Sequence, residues 1–167
     1  VGIVILLDNF TKFPFLKPLR KLDSKSIIKY LREEIFSVFG TPEMMLSDNG
    51  KQFKCNLFKD FLNSRGTNHV FTALYCPQAN ASERVNRSIV AGIRSYKKND
   101  LSEWNKHLPE IAESLRSSFH QTIGCSPYYA LIGQSMVTHA ADYELHRKLK
   151  SFDVTTLNSK DKLDIIR

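Results

Sequence analysis

The stretch VGIVILLD, residues 1–8, decides the fold of this chain. Its unbroken run of β-branched and aliphatic residues predicts a strand that is buried on both faces. Phe10–Leu19 is also aromatic and apolar, but Pro14 and Pro18 interrupt it, so we predict a neighbouring antiparallel strand that ends near Pro18. A strand buried on both faces needs helices on both sides of its sheet, which is the arrangement of a layered α/β fold.

The rest of the chain alternates between helical and strand patterns. Ser24 is expected to cap a helix over Lys25–Phe39, and Gly40 to end it. The later elements are predicted as strands over Glu43–Ser47 and Asn68–Ala73, and as helices over Asn56–Ser64, Ser82–Lys98, Ser102–Ser118 and Pro127–Gly133. This order predicts an α/β fold with a mixed sheet flanked by helices. We expect one domain over residues 1–135, followed by a helical extension or linker over residues 136–167.

Composition narrows the classes of function. The chain has 24 Lys and Arg against 17 Asp and Glu, a net charge of +7, and a pI near 9.4, which favours contact with a polyanion such as nucleic acid. Its three cysteines form no C-x-x-C pair, so neither a disulfide framework nor a zinc knuckle is predicted. The longest apolar run, Val1–Leu7, is too short to span a bilayer and follows no basic segment. We therefore expect neither a membrane partner nor a signal peptide.

Two acidic residues lie where a metal site could form. Asp48 ends a predicted strand and precedes Asn49-Gly50, and Glu83 lies in the first turn of a predicted helix. Each also has a purely structural interpretation, as a turn aspartate and as a carboxylate stabilised by the helix dipole. Magnesium takes several oxygen ligands, with one or two carboxylates among them. Asp48 and Glu83 could converge to supply two of these ligands.

The helix that contains Glu83 also has a basic face. Arg87, Arg94 and Lys98 follow Glu83 at spacings that place them on one side of the helix. Such a stripe is commonly just a solvated surface. Next to a metal-binding carboxylate it could instead follow the phosphate backbone of a nucleic acid.

Four ordered segments resemble integrases of gypsy-type LTR retrotransposons. Asp8–Phe13 is similar to the family's D-x-F-S/T-K/R-W segment, and Ser47–Phe53 to its S-D-N-G-x-Q-F segment. Pro77–Asn80 with Glu83–Arg87 is similar to P-Q-x-N…E-R-x-N-R, and Trp104–Gly133 keeps the W-x-x-x-L-P…H-x-x-x-G-x-S-P…G arrangement. The resemblance thus covers about residues 1–133.

The resemblance implies an RNase H-like fold and a catalytic triad of two Asp and one Glu. That triad binds two Mg²⁺ or Mn²⁺ ions, and Asp48 matches its second Asp while Glu83 matches its Glu. The implied activity is DNA integration, in which phosphoryl transfer joins the 3′ ends of element DNA to target DNA. The residues expected to contact DNA are Asn49, Gln78, Asn80, Arg84, Arg87, Arg94 and Lys98. The implied context is a Pol-type polyprotein that forms homo-oligomers and acts in the nucleus after a cytoplasmic stage.

Asp8 is not expected to be the first Asp of the triad. In the family that residue lies on a preceding strand, whereas Asp8 belongs to the D-x-F segment of the next one. We therefore expect the first strand, and with it the first metal ligand, to be missing from this chain. This expectation leaves enzymatic activity open, and it favours the alternative of an inactive or host-adopted remnant that binds nucleic acid or protein. A third interpretation, an RNase H-type nuclease, is disfavoured by the integrase-like carboxy-terminal half.

The loop before Glu83 departs from the family pattern. There are 34 residues between Asp48 and Glu83, one fewer than the family commonly has. Ala81 and Ser82 replace the usual loop glycine, and Cys76 stands where the family has His. Because glycine allows positive φ angles, we expect this loop to be stiffer than in relatives.

Overall fold

The computed structural model of the chain describes residues 2–72, 81–96 and 104–144, with only the backbone described for residues 81–84, 95 and 96. Its strands are β1 (Gly2–Leu7), β2 (Pro14–Leu19), β3 (Met44–Ser47) and β4 (Asn68–Phe71). Its α-helices are α1 (Ser24–Tyr30), α2 (Ser37–Phe39), α3 (Lys51–Lys54), α4 (Asn56–Ser64), α5 (Ala81–Tyr96), α6 (Leu108–Ser117) and α7 (Pro127–Ile132). A π-helical segment, Leu31–Phe36, joins α1 to α2, and a short 3-10 helix, Trp104–Lys106, precedes α6.

The first two strands form the predicted antiparallel hairpin, with Gly2 opposite Leu19 and Leu7 opposite Pro14. The second strand begins at Pro14, later than predicted, because residues 9–13 form the connecting turn. The Asp8 carboxylate closes this turn by accepting the backbone N–H of Thr11 at 2.7 Å and its hydroxyl. Asp8 therefore serves the hairpin, which agrees with its exclusion from the metal site.

The two faces of β1 pack against different helices, as its apolar run predicts. In the described part of the chain, the core has two hydrophobic clusters. Val4 and Leu6 contact the first cluster, which also contains residues of α1, the π-helical segment and α4. Ile3 and Ile5 contact the second cluster, which is built on α5 and α6. The buried residues of the first cluster are Val4, Ile27, Ile28, Tyr30, Leu31, Phe36, Phe58, Phe61 and Leu62. Those of the second are Ile89, Leu108 and Ile111. Helices therefore cover β1 on both sides.

The later strands, β3 and β4, run parallel, with Met44 opposite Asn68 and Ser47 opposite Phe71. Within the described ranges the strands pair two by two, as one antiparallel and one parallel sheet. Parallel and antiparallel pairs with helices packed against them match the predicted mixed α/β class. Because the strands are parallel, Ser47 and Phe71 end them at the same edge.

The amino-terminal cap of α1 differs from the prediction. Asp23, in extended conformation, is the capping residue, and its side chain accepts the N–H of Ser26 at 2.8 Å. Ser24 lies inside the helix, where its hydroxyl donates to the carbonyl of Gln52 at 2.7 Å. Gly40 ends the helical stretch as expected, with φ at 83°.

Two further differences concern the helices around α4. The helical spacing of α4 predicts that Leu57 faces inward with Phe58, Phe61 and Leu62, but Leu57 is 48% exposed. The short helix α3, directly after Asp48-Asn49-Gly50, is not predicted by the sequence pattern. Phe58, the residue of α4 that follows Leu57, is fully buried in the first cluster.

Candidate metal site and nucleic-acid surface

Asp48 lies directly after β3, in the turn that leads into α3. Asp48 is exposed, and its Oδ1 atom accepts a hydrogen bond from the backbone N–H of Gly50 at 2.9 Å. A Cβ atom at Gly50 would come within 2.9 Å of the same oxygen, so glycine leaves room for the carboxylate. The structure therefore places Asp48 at a strand end, exposed to solvent and oriented by its own turn, as a metal ligand requires.

Asn49 turns its side-chain amide toward the protein. Its Nδ2 donates to the carbonyl of Thr72 at 2.9 Å, which ties the turn after β3 to the end of β4. The backbone N–H of Thr72 donates in turn to the carbonyl of Ser47 at 2.8 Å. The predicted contact between Asn49 and DNA stays a prediction, and the structure adds a bond for this side chain that sequence reasoning missed.

His69 is a second residue of this region that sequence reasoning missed. Its Nε2 atom lies 2.8 Å from the hydroxyl of Ser47, the residue before Asp48. Its ring lies against those of Phe58 and Phe71, with centroid distances of 5.3 and 4.4 Å. Burial among these groups lowers the pKa of His69 below its ordinary value of 6.5, because the charged imidazolium is poorly solvated there.

This pKa direction predicts how stability depends on pH. The unfolded chain takes up a proton at His69 as pH falls through 6.5, whereas the folded chain resists it until lower pH, so protonation favours unfolding. We expect the free energy of unfolding to decrease between about pH 7.5 and pH 5.5, and His69→Phe to remove part of that decrease. Urea unfolding of both proteins at the two pH values tests this, and identical pH dependence would contradict it.

Helix α5 carries the second predicted carboxylate. Glu83 and Arg84 lie in the first turn of α5, and their side chains fall outside the described atoms. The convergence of Glu83 with Asp48 therefore stays a prediction. Three other predicted site residues lie outside the described ranges: Gln78, Asn80 and Lys98. Within the described residues, no group of three or more His, Cys, Asp or Glu side chains could hold a metal ion.

Two residues of the basic face predicted on α5 lie in its described part, and the face as a whole stays a prediction. Arg87 and Arg94 are both exposed, while Ile89, between them in sequence, is 1% exposed and contacts the core. The helix therefore buries its apolar side and presents its arginines to solvent.

Helix α3 adds two exposed lysines, Lys51 and Lys54, directly after Asp48. The Lys54 ammonium lies 6.0 Å from the centroid of the Phe71 ring, at the limit of a cation–π contact. Their spacing of three residues, within a segment already singled out by its motif, was the available signal for these lysines. Two basic side chains thus follow the exposed carboxylate of Asp48, on the helix that comes next along the chain.

The known proteins that are similar to this chain in sequence include polyproteins of a retrovirus and of a transposon. The chain is 28% identical over 140 residues to the Gag-Pol polyprotein of Walleye dermal sarcoma virus, and 32% identical over 138 residues to an uncharacterized protein of Caenorhabditis elegans. Each alignment covers 81% of this chain, but 8% and 11% of the relative. A transposon Tf2-3 polyprotein of Schizosaccharomyces pombe is 22% identical over 129 residues, covering 76% of this chain and 10% of the relative. No protein-family profile matches the chain.

Solved structures with a similar fold include two from retroviruses. The cryo-EM structure of a simian T-cell lymphotropic virus intasome in complex with a PP2A regulatory subunit matches with a TM-score of 0.66 at 14% identity, over 81% of this chain and 54% of that one. The HTLV-2 integrase catalytic core domain in complex with magnesium matches with a TM-score of 0.63 at 18% identity, over 77% and 82% of the two chains. None of the helices in the described ranges has the length and apolar character needed to cross a membrane.

Proposed function

We infer that this chain belongs to the family of LTR-retrotransposon and retroviral integrases and has the fold of their catalytic core. From this premise we propose that it carries out DNA strand transfer. The chain spans about a tenth of the length of the curated relatives it matches, with 8%, 11% and 10% covered. We therefore propose that it acts as one part of a Pol-type polyprotein. Its substrates would be the 3′ ends of element DNA and a target DNA.

The position of Asp48 carries this proposal. It is an exposed carboxylate at the carboxyl end of a parallel strand, held by Gly50, inside the segment that resembles the integrase motif. Carboxylate oxygens are the ligands that magnesium prefers, so the donor chemistry of Asp48 and Glu83 fits that ion. The HTLV-2 core, which shares the fold, was solved in complex with magnesium.

The reaction exchanges one phosphorus–oxygen bond for another. The oxygen of water or of a DNA 3′-hydroxyl forms a new bond to phosphorus, its proton passes to solvent, and the bond to the leaving oxygen breaks. Two divalent ions, when bound, would activate the attacking oxygen and neutralise charge on the leaving one. Asp48 and Glu83 would hold those ions, and the lysines of α3 with the arginines of α5 would hold the DNA backbone beside them.

A strand-transfer assay tests the proposal. The assay uses the proposed Pol-type polyprotein as a whole, so that every ligand of the family's triad is present. An oligonucleotide that ends in the element's terminal sequence is incubated with this protein and a supercoiled plasmid, and we expect joined product with Mg²⁺ or Mn²⁺ and none after chelation. Glu83→Gln should lower the joining rate by roughly 10³-fold, because it removes one ligand of the ions. DNA binding without any joining, unaffected by chelation or by Glu83→Gln, would contradict the proposal and support the alternative of an inactive remnant.

The basic face of α5 predicts a salt-dependent contact. Arg87→Gln and Arg94→Gln should each reduce the negative slope of log K against log salt by about 0.9, the amount expected for one lost phosphate contact. Lys59→Gln is the matched control, because Lys59 is exposed on α4, on the other side of β1 from α5. Fluorescence anisotropy with a labelled duplex at several salt concentrations measures the slopes. Equal slopes in all four proteins would exclude α5 as the DNA-binding face.

We also propose that the chain works as a homo-oligomer in the nucleus, after a cytoplasmic stage. The HTLV-2 integrase core was solved in dimeric and trimeric forms, which supports an oligomer here. The proposed DNA target places the reaction in the nucleus. Light scattering that gives only the mass of a monomer at micromolar concentration would count against the oligomer.

A further inference from the structure

We propose that Asn49 and His69 are positioning residues that hold the Asp48 carboxylate for metal binding, an inference that rests on the proposed function above. The two side chains belong to a strand-end clamp, which we define as Ser47, Asn49, His69 and Thr72. Ser47, Asn49 and Thr72 lie at the common edge where β3 and β4 end, and His69 lies two residues before the end of β4, opposite Met45. None of them needs to touch the metal ion to act in this way.

The first half of the clamp brackets Asp48 from both sides along the chain. Thr72 donates its N–H to the carbonyl of Ser47 at 2.8 Å and accepts the Asn49 amide at its own carbonyl, at 2.9 Å. The residue before Asp48 and the residue after it are therefore bonded to the same residue of the neighbouring chain segment. This arrangement fixes the direction in which the Asp48 side chain leaves the backbone.

The second half of the clamp runs through His69. The Ser47 hydroxyl donates a hydrogen bond to the carbonyl of Asp48 at 3.0 Å. The same hydroxyl lies 2.8 Å from His69 Nε2. A hydroxyl has one proton, so if it donates to the carbonyl, His69 Nε2 must carry the hydrogen that bonds to Ser47. The imidazole ring also contacts the rings of Phe58 and Phe71. A chain of hydrogen bonds thus runs from a ring held by the core to the peptide of Asp48.

The carboxylate itself is then oriented locally. Gly50 N–H donates to Asp48 Oδ1, and the space beside that oxygen has no room for a Cβ atom at residue 50. Asp48 is nevertheless exposed, so neighbouring side chains do not confine it by packing. Its orientation therefore depends on hydrogen bonds. Partners of this kind typically change metal affinity or activity by roughly 10- to 100-fold when they are removed.

Metal binding to the whole chain tests the inference. The dissociation constant for Mn²⁺, measured from the paramagnetic signal of the free ion, should rise about 10-fold in Asn49→Ala. Asn63→Ala, at an exposed position of α4, should bind Mn²⁺ as the parent does. His69→Phe keeps an aromatic ring beside Phe58 and Phe71 but removes the bond to Ser47. All measurements are made at a temperature where thermal unfolding shows each protein to be folded, so a purely structural role would not move the constant.

A double-mutant cycle identifies the bond responsible. Ser47→Ala and His69→Phe should each weaken Mn²⁺ binding, and the double variant should weaken it no more than the stronger single one, because both remove one interaction. His69→Gln, which can still donate to Ser47, should restore part of the affinity.

Three outcomes would overturn this inference. Unchanged Mn²⁺ binding in Asn49→Ala and His69→Phe, in a chain where Asp48→Asn has lost it, overturns the positioning roles alone. Additive effects in the cycle overturn the role of the Ser47–His69 bond. If Asp48→Asn binds Mn²⁺ as the parent does, Asp48 is not a ligand, and the proposed function fails together with this inference.

Discussion

Replacing Asp48 by asparagine is expected to lower the strand-transfer rate by roughly 10³-fold or more, because it removes a charged oxygen ligand of the metal ions. Asparagine has nearly the same shape, and its side-chain oxygen can still accept the N–H of Gly50, the bond that Asp48 makes at 2.9 Å. The fold should therefore survive while the reaction does not. The rate of joined-product formation and the thermal unfolding midpoint, measured together, separate these two effects.

Asp8→Asn is the matched control for that experiment. Asp8 also follows a strand, but its carboxylate accepts the N–H and hydroxyl of Thr11 within the β1–β2 turn. We expect the same chemical change there to leave strand transfer within a few-fold of the parent and to cost about 1 kcal/mol of stability. A loss of activity in Asp8→Asn as large as in Asp48→Asn would show that the wrong aspartate has been assigned to the metal.

Leu62→Ala is expected to destabilise the folded chain by about 2–5 kcal/mol. Leu62 is 0% exposed and lies in the cluster that joins α4 to α1 and β1. Truncation removes buried methyl groups and leaves a cavity that its neighbours can close only in part. Because whole domains are stable by only about 5–15 kcal/mol, this loss is a large share of the total.

Leu57→Ala, one and a half turns earlier in the same helix, tests the same chemical change at the surface. Leu57 is 48% exposed, so its truncation should alter the free energy of unfolding by no more than about 0.5 kcal/mol. Urea unfolding followed by circular dichroism measures both variants. Equal losses would mean that α4 is rotated relative to the arrangement described above.

Local pattern predicts correctly the elements that contact the core through regularly spaced apolar residues. The run in residues 1–8 predicts a strand covered on both faces, and β1 contacts separate clusters through Val4 and Ile3. The span of α4, Asn56–Ser64, agrees with its prediction residue for residue. In both elements apolar residues recur at the spacing of the element, so that one residue does not change the predicted type of secondary structure.

The prediction was wrong where two neighbouring residues compete for one role. Asp23 and Ser24 are both good capping residues, and Asp23 takes the cap because Ser24 bonds to the carbonyl of Gln52, 28 residues away. Helical spacing likewise predicts Leu57 inward together with Phe58, but only Phe58 is buried. Such choices depend on contacts with distant segments, which local periodicity does not contain.

By itself, the sequence determined the layered α/β class, the strand end before Asp48, and the motif that resembles the integrases, because each depends on residues that are close together along the chain. Only the tertiary structure decided that Asn49 bonds to Thr72 and that Ser47 bonds to His69. Those bonds join residues 22 or more positions apart. They form because β3 and β4 pair in parallel and end together, with α4 packed against β4, and a local pattern does not contain that pairing.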